Sequence, residues 1–260
     1  MTISQMLLRL VLALTSLAPA LALAQTASAQ SAQVQSAESA APSAAIGTVT
    51  HLSGVLTVQR ANGTTKLLAV KSEIREGDTL VTQSDTYARI KFEDDAEIVL
   101  RPQSRVLIAN YVDSPDDPQG DKVVIRLIDG GLRSVTGRIG KRNHDAIQFQ
   151  TPQGQIQVRG THFGALFCQN NCGGVPTPNG STPQNGLHVD VTQGAIVIAN
   201  PGGSQVFQAG QFGYVANLNT PPMVIPPAQG IPVTMPPSIS QNKSPASSAG
   251  GSKVNACVVQ

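Results

Sequence analysis

The chain reads as an all-β domain of stacked hairpins, either a β-roll or a two-sheet sandwich, set between disordered N- and C-terminal segments. Three observations predict this. Short runs rich in Val, Ile, Leu and Thr alternate apolar with polar residues. Gly, Asn and Asp turn signals cut those runs at regular intervals. No run keeps a helical period for long.

The order of elements starts near Gly47. Gly54-Val55-Leu56-Thr57-Val58 precedes Asn62-Gly63, a strong hairpin signal, and Leu67 to Val70 follows. Glu76-Gly77-Asp78 makes the next turn. Ala88, Ile90 and Phe92 alternate with Arg89, Lys91 and Glu93, which puts one face on a core and one in water. Ile98 and Leu100 follow Asp94-Asp95. Val123, Ile125 and Leu127 share a face ahead of Asp129-Gly130-Gly131. Ile147 and Phe149, then Ile156 and Val158, then Phe163, Ala165 and Phe167 continue the period of two. Leu187, Val189 and Val191 resume after a Gly/Pro/Asn loop. The last strands are expected at 195–199, 205–208 and 213–216. Openings at Gly54, Gly131 and Gly194 echo one another without a fixed spacing, as similar hairpins would. The domain is thus drawn from 46 to 217.

The flanks differ in texture. Residues 1–24 carry Arg9, an apolar stretch and Ala22-Leu23-Ala24, the pattern of a cleavable signal peptide. Ser16 and Pro19 interrupt the run and leave it short for a membrane span of ~20 residues. Residues 25–45 are mostly Gln, Ala and Ser and are expected to be a disordered linker. Residues 218–260 form a Pro-rich and then Ser-rich tail, with 221–237 read as an extended polyproline-like spacer.

Composition excludes some functions. Lys and Arg number 18 against 16 acids, and removing 1–24 takes away one basic residue, so the mature charge is about +1. That is no electrostatic footprint for nucleic acid. With no Trp, three Tyr and six Phe, the chain lacks an aromatic platform for extended glycans.

Candidate sites are few. Cys168 and Cys172 can close a tight disulfide loop in an exported protein, leaving Cys257 over. The loop 113–121 carries four carboxylates, open to calcium but read first as a solvated connection. His162 and His188 could approach one another across strands near the cysteines, a weak zinc arrangement. In Arg159-Gly160-Thr161, Gly160 is read as permitting an unusual backbone angle or close packing, with Arg159 on carbonyls or a carboxylate. Gly137 to Arg142 is read as a basic turn. Arg138, Lys141, Arg142 and Arg159 are the candidate partner contacts. No G-x-S-x-G elbow or H-E-x-x-H pair is present, so no catalytic residue, metal ligand or cofactor is assigned.

The order of motifs resembles the FecR domain family from about Gly47 to Val215. The resemblance is carried by Ile46 to Val49, Gly54 to Val58, Glu76 to Thr82, Ala88 to Asp94, Ile98 to Pro102 with Ser104, and Leu127 to Arg133. Thr151-Pro152, Val158 to Phe163, Gly194 to Val197 and Ala209 to Gln211 complete it. It implies the fold, an exported location and a non-catalytic role. It implies no ligand. A cleavable signal stands where the namesake has a cytoplasmic domain.

The expected function is therefore a non-enzymatic, periplasmic or secreted binding, scaffolding or signal-sensing module, whose partner is an envelope protein or polymer. The competing reading is an envelope glycan hydrolase with carboxylates, such as Asp94 and Asp95, assembled by the fold.

Overall fold

The computed structural model describes residues 43–239, Gly173 excepted. The segment expected to be a signal peptide, most of the expected linker and Cys257 lie outside the described residues. The strands, in chain order, are β1 (Ala45–Ser53), β2 (Leu56–Gln59), β3 (Thr65–Leu68), β4 (Glu73–Arg75), β5 (Thr79–Thr82), β6 (Tyr87–Phe92), β7 (Glu97–Leu100) and β8 (Arg105–Val112). After a single 3-10 turn at Pro118–Gly120 come β9 (Lys122–Val135), the short helix α1 (Arg138–Arg142), β10 (Ile147–Thr151) and β11 (Gly154–Cys168). β12 (Gly186–Asn200), β13 (Gly203–Gln208), β14 (Phe212–Val215) and β15 (Met223–Ile225) complete the series. The all-β expectation holds.

All these strands join one sheet. Three of them, β9, β11 and β12, are 14, 15 and 15 residues long and change partners midway. The first half of β9 pairs with β8 and, in parallel, with β10; its second half pairs with β7 and β11. β11 begins against β10 and the end of β12, then continues against β9 and the start of β12. β12 begins against β14 and ends against β13. In a flat sheet the first halves of β9 and β11 would lie far apart, yet β10 bridges them. The sheet must therefore fold over on itself.

Two layers result. One runs β3-β2-β5-β8-β9-β10-β11-β12-β13 and the other β4-β1-β6-β7-β9-β11-β12-β14-β15. Their inner faces make one apolar cluster. Leu56, Leu80, Ile108, Phe149 and Phe207 from the first layer belong to the same cluster as Ile74, Ile90, Leu100, Phe163 and Phe167 from the second. Each side chain of this size contributes roughly 1.5–3 kcal/mol on burial. The alternation read in 88–92 is the cause: Ala88, Ile90 and Phe92 are buried, while Arg89 and Lys91 are not.

The partner changes coincide with glycines at positive φ: Gly130 (74°), Gly160 (61°) and Gly194 (77°). A hydroxyl repairs the interrupted ladder at two of these places. Ser104 Oγ accepts from the Gly131 amide at 2.9 Å and donates to the Gly131 carbonyl at 2.8 Å. Thr136 Oγ1 accepts from the Thr161 amide and donates to the Thr161 carbonyl, both at 2.9 Å. Buried main-chain groups thus stay paired where regular pairing fails.

Several expectations change. The runs 156–158 and 163–167 are one strand, as are 187–191 and 195–199. The echoes at Gly131 and Gly194 are mid-strand positions rather than hairpin openings. The basic turn is the helix α1. The proline-rich segment does not act as a free spacer: β15 pairs with β14, and Ile231, Val233 and Ile239 are buried.

Gly194 and Gly160 should separate two costs. A Cβ on Gly160 meets nothing within 4 Å, so Gly160→Ala is expected to cost about 1 kcal/mol for its backbone angle alone. A Cβ on Gly194 would collide with the Gly160 carbonyl, so Gly194→Ala should cost at least about twice that. Denaturant titration measures both, and equal losses would refute the close approach.

Candidate functional site

The outer face of the second layer carries a row of arginines: Arg89 on β6, Arg101 after β7 and Arg133 on β9. The residues from 231 to 239 lie across them. Arg89 Nη2 donates to the Ile239 carbonyl at 2.5 Å, Arg101 Nη1 to the Thr234 carbonyl at 3.0 Å, and Arg133 Nη1 to the Val233 carbonyl at 2.8 Å. Beneath them Ile231 and Val233 pack on Leu166, Cys168 and Cys172. Gly164 makes room, because a Cβ there would sit 2.5 Å from Val233 Cβ.

Arg133 centres this network. It is buried, as are Asp190 and His162. Its Nε donates to His162 Nε2 at 2.7 Å, and its Nη1 and Nη2 each reach Asp190 Oδ2 at 3.0 Å. Nη2 also donates to Thr192 Oγ1. The other carboxylate oxygen, Asp190 Oδ1, accepts from the Val233 amide at 3.0 Å. Both main-chain groups of Val233 are therefore held by side chains, in place of a neighbouring strand. Burial first, and then the Arg133 charge, push the His162 imidazole down to about 4, which keeps it the neutral acceptor that Arg133 needs. What the arrangement can do is hold an extended segment by its backbone.

The sequence missed this network because β11 and β12 bring its members together. A signal was present in part: Asp190 lies between Val189 and Val191.

The predicted residues fall elsewhere. Arg142 Nη2 pairs with Asp113 and Asp121, each at 2.6 Å, and Arg138 pairs with Asp113 at 3.3 Å. The basic helix thus engages two of the four carboxylates of the acidic loop, Asp113 and Asp121, while residues 115–120 are exposed. Lys141 and Arg138 stay exposed. The Arg159 side chain is exposed and has no hydrogen bond or ion pair among the described residues, so the carbonyl or carboxylate expected for it is absent there. Gly160 provides a backbone angle and not a close approach. Cys168 and Cys172 form the expected disulfide, with Cα atoms 5.5 Å apart. His162 and His188 do not converge: the register sets His188 opposite Leu166 and His162 opposite Gln193. Asp94 and Asp95 diverge too. Asp94 is buried and accepts from Tyr111 Oη at 2.9 Å, while Asp95 is exposed and pairs with Lys91 at 2.8 Å. Among the described residues no helix is long and apolar enough to cross a membrane.

Two predictions test the network. The His162 value lies below its ordinary 6.5, so the unfolded chain binds the extra proton first. Stability should be full above pH 6.5 and fall by up to about 3 kcal/mol as pH drops to 4. His162→Gln, which keeps an acceptor, should flatten that segment of a pH-denaturation profile; an unchanged slope would refute the assignment. Asp190→Asn should cost about 3–5 kcal/mol by stranding the Arg133 charge, and limited proteolysis should then cut within 226–239.

Comparison with known proteins adds the family. Residues 78–197 match the model of the family described as FecR protein. A search of curated proteins returns no significant match. Among solved structures, one described as a cell surface anchoring domain is 34% identical over 24% of this chain and 82% of its own, with a TM-score of 0.24. Two crystal structures of a candidate anti-sigma factor from Parabacteroides distasonis are 12% and 13% identical, each covering 59% of this chain and 60% of its own, with TM-scores of 0.42. The family match lies inside the stretch whose motif order resembles FecR domains, and it takes in β9 to β11 whole and most of β12: over residues 78–197 this chain matches the FecR family.

Proposed function

We propose that this chain is a non-catalytic, signal-sensing or regulatory binding module of the cell envelope, exported by the segment 1–24 and recruiting a protein partner. The FecR match supports a regulatory role. The single observation that carries partner recruitment is an open sheet edge. β3 pairs with β2 alone, and its Leu67 is 74% exposed, the most exposed large apolar residue described. Val55 and Val70, nearby in the chain, are exposed as well.

An edge strand presents unpaired amides and carbonyls, and proteins normally blunt it with charge, proline or cover. β15 is blunted in this way, with Pro221-Pro222 before it and Pro226-Pro227 after it. β3 has one charge, Lys66, and no proline. A partner strand added there would gain main-chain hydrogen bonds, with Leu67 as its apolar anchor. The carboxylates that a hydrolase would need point elsewhere: Asp94 supports a turn and Asp95 pairs with Lys91.

A photoreactive residue at position 66 should trap one envelope protein in intact cells. Leu67→Lys should cut that capture at least about tenfold with the melting temperature unchanged, as expected for loss of a central anchor. Capture indifferent to Leu67, or turnover of cell-wall glycan by the purified protein, would overturn this reading.

A further inference from the structure

The arginine row contains one member with no direct ion pair among the described residues. Arg133 has Asp190 at 3.0 Å, and Arg89 has Glu97 at 4.0 Å. Arg101 is 7% exposed, yet among the described residues its guanidinium has no ion pair within 4.0 Å and one hydrogen bond, Nη1 to the Thr234 carbonyl. A guanidinium carries five N–H donors and stays charged in proteins. Taking such a charge out of water without a counter-charge costs several kcal/mol. Burial pulls the Arg101 value below the ordinary guanidinium range and outweighs the opposing charges of Tyr87 and Asp190.

Arg101 also lines a cavity of about 280 Å³. Ser84, Tyr87, Gln103 and Asn171 line it with Arg101, so the wall carries hydroxyl and amide side chains. Part of its wall is tied down. Cys172 belongs to the disulfide loop, and Asn171 Nδ2 donates to Asp129 Oδ1 at 2.7 Å. The one acid on the lining, Asp85, is exposed and makes no ion pair among the described residues. The volume lies near the lower end for ligand pockets, about 300–1,000 Å³, which suits a solute of monosaccharide or amino-acid size.

We infer that this cavity is a binding site for a small carboxylate, seated on Arg101. The planar fork of a guanidinium matches a carboxylate bidentately, and the neutral polar lining accommodates the hydroxyl or amine groups of such a solute. An ammonium group on the ligand would find Asp85; a hydroxylated sugar acid would use Ser84, Tyr87 and Gln103. The site is separate from the β3 edge and stands whether or not β3 captures a protein.

Titration calorimetry of the purified full chain with glucuronate, an α-amino acid, glucose and inorganic phosphate tests this. One of the two carboxylates should bind saturably with Kd below about 1 mM, the weak end expected for a ligand this small, and glucose at least tenfold more weakly. The amino acid or the sugar acid, whichever binds, identifies the source of the carboxylate. Arg101→Gln should abolish binding, and Arg101→Lys should weaken it about tenfold by losing the fork. Ser84→Trp, on an exposed turn away from the Thr234 contact, should block the cavity with the fold intact. The inference is overturned if neither carboxylate binds, if phosphate alone binds, or if binding survives both Arg101→Gln and Ser84→Trp.

Discussion

The whole molecule depends on β9, β11 and β12 passing from one layer to the other without leaving the sheet. β10 enforces this. It pairs in parallel with the start of β9 and antiparallel with the start of β11, whose second halves lie directly side by side. Only a folded sheet satisfies both pairings, and the fold brings two apolar faces together as one core. The local cost falls on residues at positive φ and on a few buried amides, which Ser104 and Thr136 pair off.

That geometry also creates the outer face. With the apolar side chains turned inward, the opposite face of the second layer would be an exposed sheet. The proline-rich segment covers part of it, and prolines suit the task because an extended chain held by side chains needs few main-chain donors of its own. Arg133 and Asp190 take both polar groups of Val233, so a residue seated on a sheet face, away from any strand edge, is still satisfied. The same burial that makes this network rigid leaves Arg101, one row over, with less than its charge requires. Binding capacity on this face and at the β3 edge thus follows from what the core leaves over.

Much of the domain was legible in the chain. The alternation at 88–92, 147–149 and 156–158 marked strands and their inner faces, because a period of two is enforced by the pleat itself. The disulfide loop was legible from its spacing. Other parts were not. Gly131 and Gly194 read as hairpin openings, since glycine marks a turn and a mid-strand bend in the same way. The acidic loop and the basic helix each looked like a binding candidate, because nothing in the spacing shows that Arg142 reaches Asp113 and Asp121. The 231–239 segment looked like a spacer, because its anchors lie about 100 to 150 residues upstream in the chain.

The sequence alone settled the β class, the order of most strands, the motif order shared with FecR domains and the lack of familiar catalytic motifs. These are written in short-range patterns: side-chain alternation, turn chemistry and local spacing. Tertiary structure decided which charges pair with each other, which glycines bend strands, what covers the second layer and which buried arginine has no direct ion pair among the described residues. Those outcomes depend on distances between residues far apart in the chain, and a linear pattern carries no information about a distance until the sheet has closed.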